Sequence, residues 1–418
     1  MNNNSNSSKQ KKALVLFANV FPYGTGETYL ETEINYYGLF DKIYIVALCI
    51  KKEDSKTIRE VGENIEVIPV FRKPSFLYVL SLIPALIDKN IYFEFGRLVK
   101  SGKFGIFNLC RMFVYFSRAR IESKEISKAL KGKVNSKTLF YSYRFDYQPY
   151  TALLVRNRLN LHNQIISRAH GYDLYENVAK HGYIPMREEL LGNLSAVFPC
   201  SDHGTKYLKG LFPKQAKKVS TRYLGTYDYG VHYYNNTGVY TIVSCSNLVP
   251  VKRISLLIDA LSLLNDKQIK WIHYGDGVLM NELKQRAKNK LKIEFEFKGK
   301  VSNSRILKDY SLNDYYLFVN VSSSEGLPVS IMEAISFGIP CIATDVGGTR
   351  EIIIDGENGV LLPANVTARM IAKEIQRFLL MNTKDYYMYR DKAREIWSKS
   401  FNSNKNYSSF ANELYHIE

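Results

Sequence analysis

The sequence predicts an α/β protein with two successive Rossmann-like domains, each built on a parallel sheet. Three observations predict it. The chain has 418 residues, too many for one hydrophobic core, so two domains of roughly 200 residues are expected. Short apolar runs alternate with helical patterns in a strand-loop-helix-strand order, which favours a doubly wound parallel sheet. A polar, aromatic stretch at 227–238 breaks the alternation, and the pattern then starts again.

The elements follow in order. Residues 13–20 form a first apolar strand, a glycine-containing loop follows at 21–27, and 28–39 carry a helical pattern. A second strand is expected at 43–50, and 71–134 read as mainly helical. Strands at 138–143, 164–167 and 196–200 continue the first sheet. After the linker come strand 239–246, helix 255–264, strand 271–274, helix 281–288 and strands 316–321 and 341–344. An amphipathic helical segment, 385–417, closes the chain with a break near Phe401. The expected domains are 1–228, with 1–11 as a flexible tail, then 229–395. Residues 396–418 are expected to form a helix that packs back on the N-terminal domain. Two such domains facing one another leave a cleft, and ligands of such sheets sit beyond the strand C-termini.

Composition narrows the class. Hydrophobic residues at 46% and charged residues at 23% exclude a disordered chain. The segment 1–10 lacks an apolar signal core, and the longest apolar stretch, 76–87, is too short to span a bilayer and contains Pro84. Five scattered cysteines without CxxC spacing argue against a disulfide framework and a zinc site, which fits a reducing cytoplasm. The net charge of +17 is concentrated in residues 1–228, which hold 34 Lys/Arg against 20 Asp/Glu. It peaks at 97–133, where ten basic and two acidic residues interleave with Phe104, Phe107, Leu109, Met112, Phe113, Tyr115 and Phe116. Such a stretch suits an anionic membrane surface, at the inner face of the cell membrane, or a solvated helix with its apolar side in the core. No nucleic-acid recognition module is visible.

The most specific chemistry lies in V-S-S-S-E-G-L-P-V-S-I-M-E-A-I-S-F-G-I-P, which begins at Val321 and is followed by Gly347-Gly348 and Glu351-Ile352-Ile353. Glu325 falls on a loop after a strand, Pro328 suits a first helical turn, and Glu333 lies within the helix. The N–H groups of 326–330 would form an anion site for a diphosphate. The block resembles the E-x7-E signature of retaining glycosyltransferase family 4, with the GT-B double-Rossmann fold. The resemblance implies that Glu325 holds donor-sugar hydroxyls and that Glu333 holds the nucleotide ribose. Gly326, Leu327 and Pro328, with Gly347 and Gly348, would then meet the sugar or diphosphate.

Other segments extend the resemblance. C-S-N-L-V-P-V-K-R-I, 245–254, resembles the family's phosphate clamp. Lys252 matches its lysine, Asn247 stands where an arginine is usual, and Arg253 is the candidate to take over that charge. Gly275 and Gly277 match a G-x-G turn, and Gly299, Val301 and Tyr310 the nucleotide-base region. I-I-S-R-A-H-G-Y-D-L-Y-E, 165–176, places His170 as the family's cleft histidine, with Arg168, Tyr172 and Asp173 on the acceptor side. Gly24, Gly26 and Glu27 occupy the first strand-helix turn, as a phosphate or acceptor loop. These segments further resemble enzymes making bacterial capsule, exopolysaccharide or O-antigen.

The resemblance implies a retaining transferase. It would take a nucleotide sugar, UDP-linked rather than GDP-linked, and a saccharide or lipid-linked saccharide acceptor. No cofactor and no metal are expected, since the sequence contains no Asp-x-Asp pair. The departing diphosphate would be stabilised by Lys252 and Arg253. Two alternatives remain open at this point: a catalytically silent subunit that binds a glycan or a partner transferase, and a nucleotide-sugar epimerase of the same shape.

Overall fold

The computed structural model describes residues 12–24, 26–80, 86–232, 234–235 and 238–417. The expected tail 1–11 lies outside them, as do Thr25 of the first turn, 81–85 of the apolar stretch, and 233, 236 and 237 of the linker.

Two six-stranded sheets organise the chain. The first contains β1 (Ala13–Ala18), β2 (Lys42–Ile50), β3 (Ile65–Phe71), β4 (Leu139–Ser142), β5 (Ile165–Ala169) and β6 (Ala196–Pro199), in the order β3-β2-β1-β4-β5-β6. The second contains β7 (Tyr240–Cys245), β8 (Ile269–Tyr274), β9 (Glu294–Gly299), β10 (Leu317–Asn320), β11 (Cys341–Thr344) and β12 (Gly359–Leu362), in the order β12-β11-β10-β7-β8-β9. All neighbours pair in parallel. Counted from its own first strand, each sheet runs 3-2-1-4-5-6, the Rossmann order. The strand order reverses between β1 and β4 and again between β7 and β10. Chain crossovers diverge at these points, leaving a crevice for ligands at the strand C-termini.

The central strands form because their residues are apolar on both faces. Leu14 through Ala18 of β1 are all fully buried, as a strand covered by helices on both sides requires. The three strands missing from the sequence reading, β3, β9 and β12, are all edges. Edge strands carry polar residues, proline or short runs. Thus β3 seats Pro69 opposite Ala47, β9 alternates as EFEFKG, and β12 has only four residues.

The chain divides into two compact units. One comprises 1–199, 205–222 and 407–418, and the other 200–204 and 223–406. In the second, the helix Thr383–Ser400 is anchored by Trp397, whose indole N–H donates to Thr226 Oγ1 at 2.7 Å. In the first, Phe410 packs edge-on against Tyr141 and Phe198, and Leu414 is fully buried. The break near Phe401 separates this helix from the last, Ser403–Tyr415.

The basic stretch 97–133 is partly taken up by the fold. Met112, Tyr115 and Phe116 of the helix Ile106–Leu130 are buried. Some of its cations are paired: Arg118 with Glu122 at 2.8 Å, Arg120 with Asp88 at 3.7 Å, and Lys133, just beyond, with Glu66 at 2.6 Å, while Lys124 and Lys128 are exposed. No helix among the described residues is long and apolar enough to cross a membrane.

Candidate functional site

The most developed candidate lies at the switch point of the second sheet. The chain leaves β10 at Asn320 and passes through a loop before the helix Val329–Ser336. The N–H of Ser323 donates to the Val251 carbonyl at 2.8 Å, lacing this loop to the one that follows β7. Lys252, on that second loop, extends Nζ to 2.6 Å from Oε1 of Glu325, and Nδ2 of Asn320 approaches the same oxygen at 3.3 Å. Both partners of the ion pair are mostly shielded, where a charge-assisted hydrogen bond fixes orientation well. The N–H groups of Gly326 and Leu327 donate to no group among the described residues, so two donors remain beside the carboxylate.

Glu333 lies inside the helix, buried, with Oε1 accepting from Nδ2 of Asn303 at 2.7 Å. Burial pushes its carboxyl up to about 7, and the Asn303 hydrogen bond offsets part of that shift. A carboxyl that titrates near physiological pH is a poor structural anion, and it gains from any hydroxyl donor that stabilises its ionised form.

The glycines here are required by backbone contact. Gly347 adopts φ +56, and a Cβ there would stand 1.9 Å from the Glu325 carbonyl. Gly348 donates its N–H to the Gly326 carbonyl at 2.8 Å. The pair therefore buttresses the carboxylate loop from behind. Gly275 and Gly277 do the same for the loop after β7: added Cβ atoms would reach 1.9 Å from Ser246 O and 2.5 Å from Leu248 O.

Two expectations are altered. Arg253, the candidate phosphate cation, is engaged within the fold, its guanidinium donating to three carbonyls: Val321 at 2.6 Å, Ala364 at 2.8 Å and Ser322 at 3.0 Å. It ties the ends of β10 and β12 to the loop after β7, leaving Lys252 as the cation beside Glu325. Tyr310 is fully buried in the core against Tyr274, Tyr315 and Phe337. Asn247 is exposed. His273, which the sequence reading passed over, is a core residue. Burial holds its imidazole down at about 4, and it contacts Ser244 Oγ and the Ser246 carbonyl.

The first sheet has its own polar cluster at its switch point. Glu27, at φ 54, turns its carboxylate onto the end of β1. It accepts from the N–H groups of Asn19 at 3.0 Å, Val20 at 2.9 Å and Phe21 at 3.1 Å. A protein carboxylate thus occupies the anion nest of the first turn, where a phosphate loop was expected. Gly24 and Gly26 serve the packing of that turn: Gly24 has φ +61, and a Cβ on Gly26 would stand 2.8 Å from Val20.

His170 follows β5 and is buried, with neither ring nitrogen hydrogen-bonded among the described residues. Its Nδ1 is 3.7 Å from Asp173 Oδ2, and its backbone N–H donates to Asp173 Oδ1 at 2.7 Å. Burial and then the Arg144 charge depress the imidazole below its usual range. Burial alone would raise the Asp173 carboxyl, but His170, Arg144 and the Phe145 N–H hold it well below the carboxylate range. Tyr172 is half-exposed, its hydroxyl accepting from Asn19 Nδ2 at 3.1 Å.

Arg168 sits apart from these groups. It is fully buried, pairs with Glu33 at 3.2 Å, and donates to Tyr141 Oη and the Arg222 carbonyl. It is a core strut and offers no surface to an acceptor. The residue the sequence reading missed is Arg144, just beyond β4. Its buried Nε lies 3.6 Å from Glu27 Oε1 without a hydrogen bond, and the guanidinium is 5.0 Å from the Tyr172 ring centre. Only the parallel pairing of β1 with β4 and β4 with β5 gathers Glu27, Arg144 and Asp173.

Residues 233–396 match the family described as glycosyl transferases group 1, which covers the whole Lys252–Glu325–Glu333 site. The lipopolysaccharide outer core galactosyltransferase WaaB superposes with a TM-score of 0.67 over 96% of this chain and 98% of its own, at 15% identity. The fold is GT-B. A second GT-B structure, HepE from Anabaena in complex with UDP-glucose, gives 0.66 over 97% of this chain and 100% of its own, at 14% identity. Among curated relatives, N-acetyl-alpha-D-glucosaminyl L-malate synthase of Bacillus anthracis is 30% identical over 42% of this chain. The chain spans less than half the length of that relative, 45%.

Proposed function

We propose that the chain is a retaining glycosyltransferase that moves a sugar from a nucleotide-sugar donor to a saccharide or lipid-linked saccharide. The observation that carries this reading is the Lys252–Glu325 pair at the β7–β10 switch point. Beside it stand the free N–H groups of Gly326 and Leu327. It lies within the segment matching glycosyl transferases group 1.

The carboxylate of Glu325 accepts hydrogen bonds from donor-sugar hydroxyls, and Glu333 accepts from the ribose diol. Lys252 and the two N–H groups meet the diphosphate, whose charge grows as the sugar–phosphate bond breaks. The acceptor hydroxyl attacks the anomeric carbon on the face the diphosphate is leaving. Its proton passes to the departing phosphate oxygen. His170, with neither ring nitrogen hydrogen-bonded among the described residues and a depressed pKa, orients the reacting sugar as a neutral hydrogen-bonding group. Arg144 and Tyr172 extend the acceptor side.

A UDP-linked donor is favoured, because HepE, a similar structure, was solved with UDP-glucose. A surface glycan is favoured as product, because WaaB is named for the lipopolysaccharide outer core. No step here calls for a metal.

Donor turnover over a panel of UDP-, GDP- and ADP-sugars tests the reading with Glu325→Ala, Lys252→Ala and His170→Ala. Turnover near the wild-type level in all three variants would sink the site assignment. A catalytically silent subunit is the second reading. It is favoured by exposed Asn247 in place of the family arginine, and by an Arg253 fully engaged with carbonyls. Calorimetry with the same panel separates the two, since a silent subunit binds none of them.

A further inference from the structure

The first unit carries an apolar face that its own fold leaves largely exposed, although Phe107 stacks on His181 at 4.8 Å. On the helix Lys89–Lys100, Ile91, Glu94 and Leu98 are buried. The opposite side of a surface helix is normally polar. Here it presents Tyr92, Phe93 and Val99, with Phe93 67% exposed. The next helix begins at Ile106, and Phe104, Ile106 and Phe107 are 56%, 67% and 67% exposed. The two groups adjoin, since the rings of Phe95 and Phe104 meet edge-on at 5.8 Å. Contiguous exposed apolar surface of this kind marks an interaction site.

Charge identifies the occupant. Between 89 and 121 the sequence has seven basic residues and one acidic residue, Glu94. That carboxylate is fully buried, 3.0 Å from Arg97 and 2.6 Å from the Tyr183 hydroxyl. Lys89 and Lys100 are exposed at the two ends of the helix and form no ion pair among the described residues. A second copy would bring like charges together, which opposes self-association. Protruding aromatic and aliphatic side chains rimmed by lysine match the headgroup boundary of an anionic bilayer.

We propose that this face, around 89–107, docks on an anionic phospholipid bilayer. It lies on the N-terminal side of the basic peak expected from sequence. The docking elements are the exposed rings of one short helix and the start of the next. Docking would hold a water-insoluble acceptor and the first unit on the same surface, but the proposal stands or falls independently of the chemistry.

The test is co-sedimentation of the full chain with vesicles of phosphatidylcholine, with and without phosphatidylglycerol. The wild type is expected to bind the anionic vesicles, to bind neutral ones far less, and to be released by salt. Phe93→Ser with Ile106→Ser is expected to reduce partitioning at least about tenfold. Lys89→Glu with Lys100→Glu is expected to do the same on anionic vesicles only. Unchanged thermal melting and donor turnover in solution would show that both variants are folded. Equal binding to neutral and anionic vesicles, or binding unaffected by both double substitutions, overturns the proposal. So does a wild-type dimer that Phe93→Ser with Ile106→Ser converts to monomer, which would assign the face to a second copy.

Discussion

Nζ of Lys252 stands 2.6 Å from Oε1 of Glu325, although 73 residues separate them in the chain. The contact forms because β7 and β10 are neighbours, so the loops that follow them emerge together. An ammonium in this position can serve the carboxylate at rest and a diphosphate during reaction. Lys252→Ala is expected to lower kcat for donor turnover by about 10²–10³. Thermal stability should fall by only about 1 kcal/mol or less, as for a partly exposed ion pair. Steady-state kinetics and a melting curve on one preparation check both halves.

Glu333 gives a pH signature. Its carboxyl is raised from 4.5 to about 7 by burial, so ionisation opposes folding. That cost is absent below the ordinary glutamate range, grows as pH rises towards about 7, and is complete above it. Glu333→Gln is therefore expected to be close to the wild type in stability at about pH 5 and to exceed it at about pH 8 by about 1–3 kcal/mol, as denaturant titration reads. Ribose hydroxyls favour the ionised carboxylate, so UDP affinity of the wild type should rise over the interval in which its stability falls. Calorimetric titrations on either side of pH 7 measure this, and the Gln variant should lose the dependence.

Gly347 and Gly356 make a paired test. Both have positive φ, +56 and +79, but a Cβ on Gly347 would strike the Glu325 carbonyl while one on Gly356 would meet nothing within 4 Å. Gly356→Ala is expected to cost about 1 kcal/mol for the left-handed backbone alone. Gly347→Ala adds a displaced carboxylate loop, for a total above about 2 kcal/mol and a steep loss of donor turnover. Denaturant titration of both variants separates the two contributions.

Removing the Glu27 carboxylate should leave three N–H groups at 19–21 and the Arg144 charge unsatisfied. Glu27→Ala is expected to destabilise the chain by about 2–4 kcal/mol. Inorganic phosphate should raise the melting temperature of the variant more than that of the wild type, because the emptied nest accepts a free anion.

Continuous apolar runs made the central strands of both sheets legible, and the misses fall where tertiary context outweighs pattern. Pro69 obscured β3, and alternating charge obscured β9. Glu325 and Glu333 were legible because strand, loop and helix hold them in one short segment. The carbonyl contacts of Arg253 were not legible because the three partners lie 68, 69 and 111 residues away. A local reading could not see that the guanidinium was already committed. Arg144 escaped for the converse reason: nothing in Tyr-Arg-Phe-Asp marks a site until β4 lies between β1 and β5.

The plugged turn after β1 has a consequence for counting. The two halves of the chain repeat one strand order, and strand order alone would predict duplicated nucleotide sites. Glu27 breaks that symmetry by acting as a built-in competitor at the first turn, covalently tethered and never diluted. Nucleotide titration should therefore saturate at one equivalent per chain, and the first half keeps its surface for a different molecule.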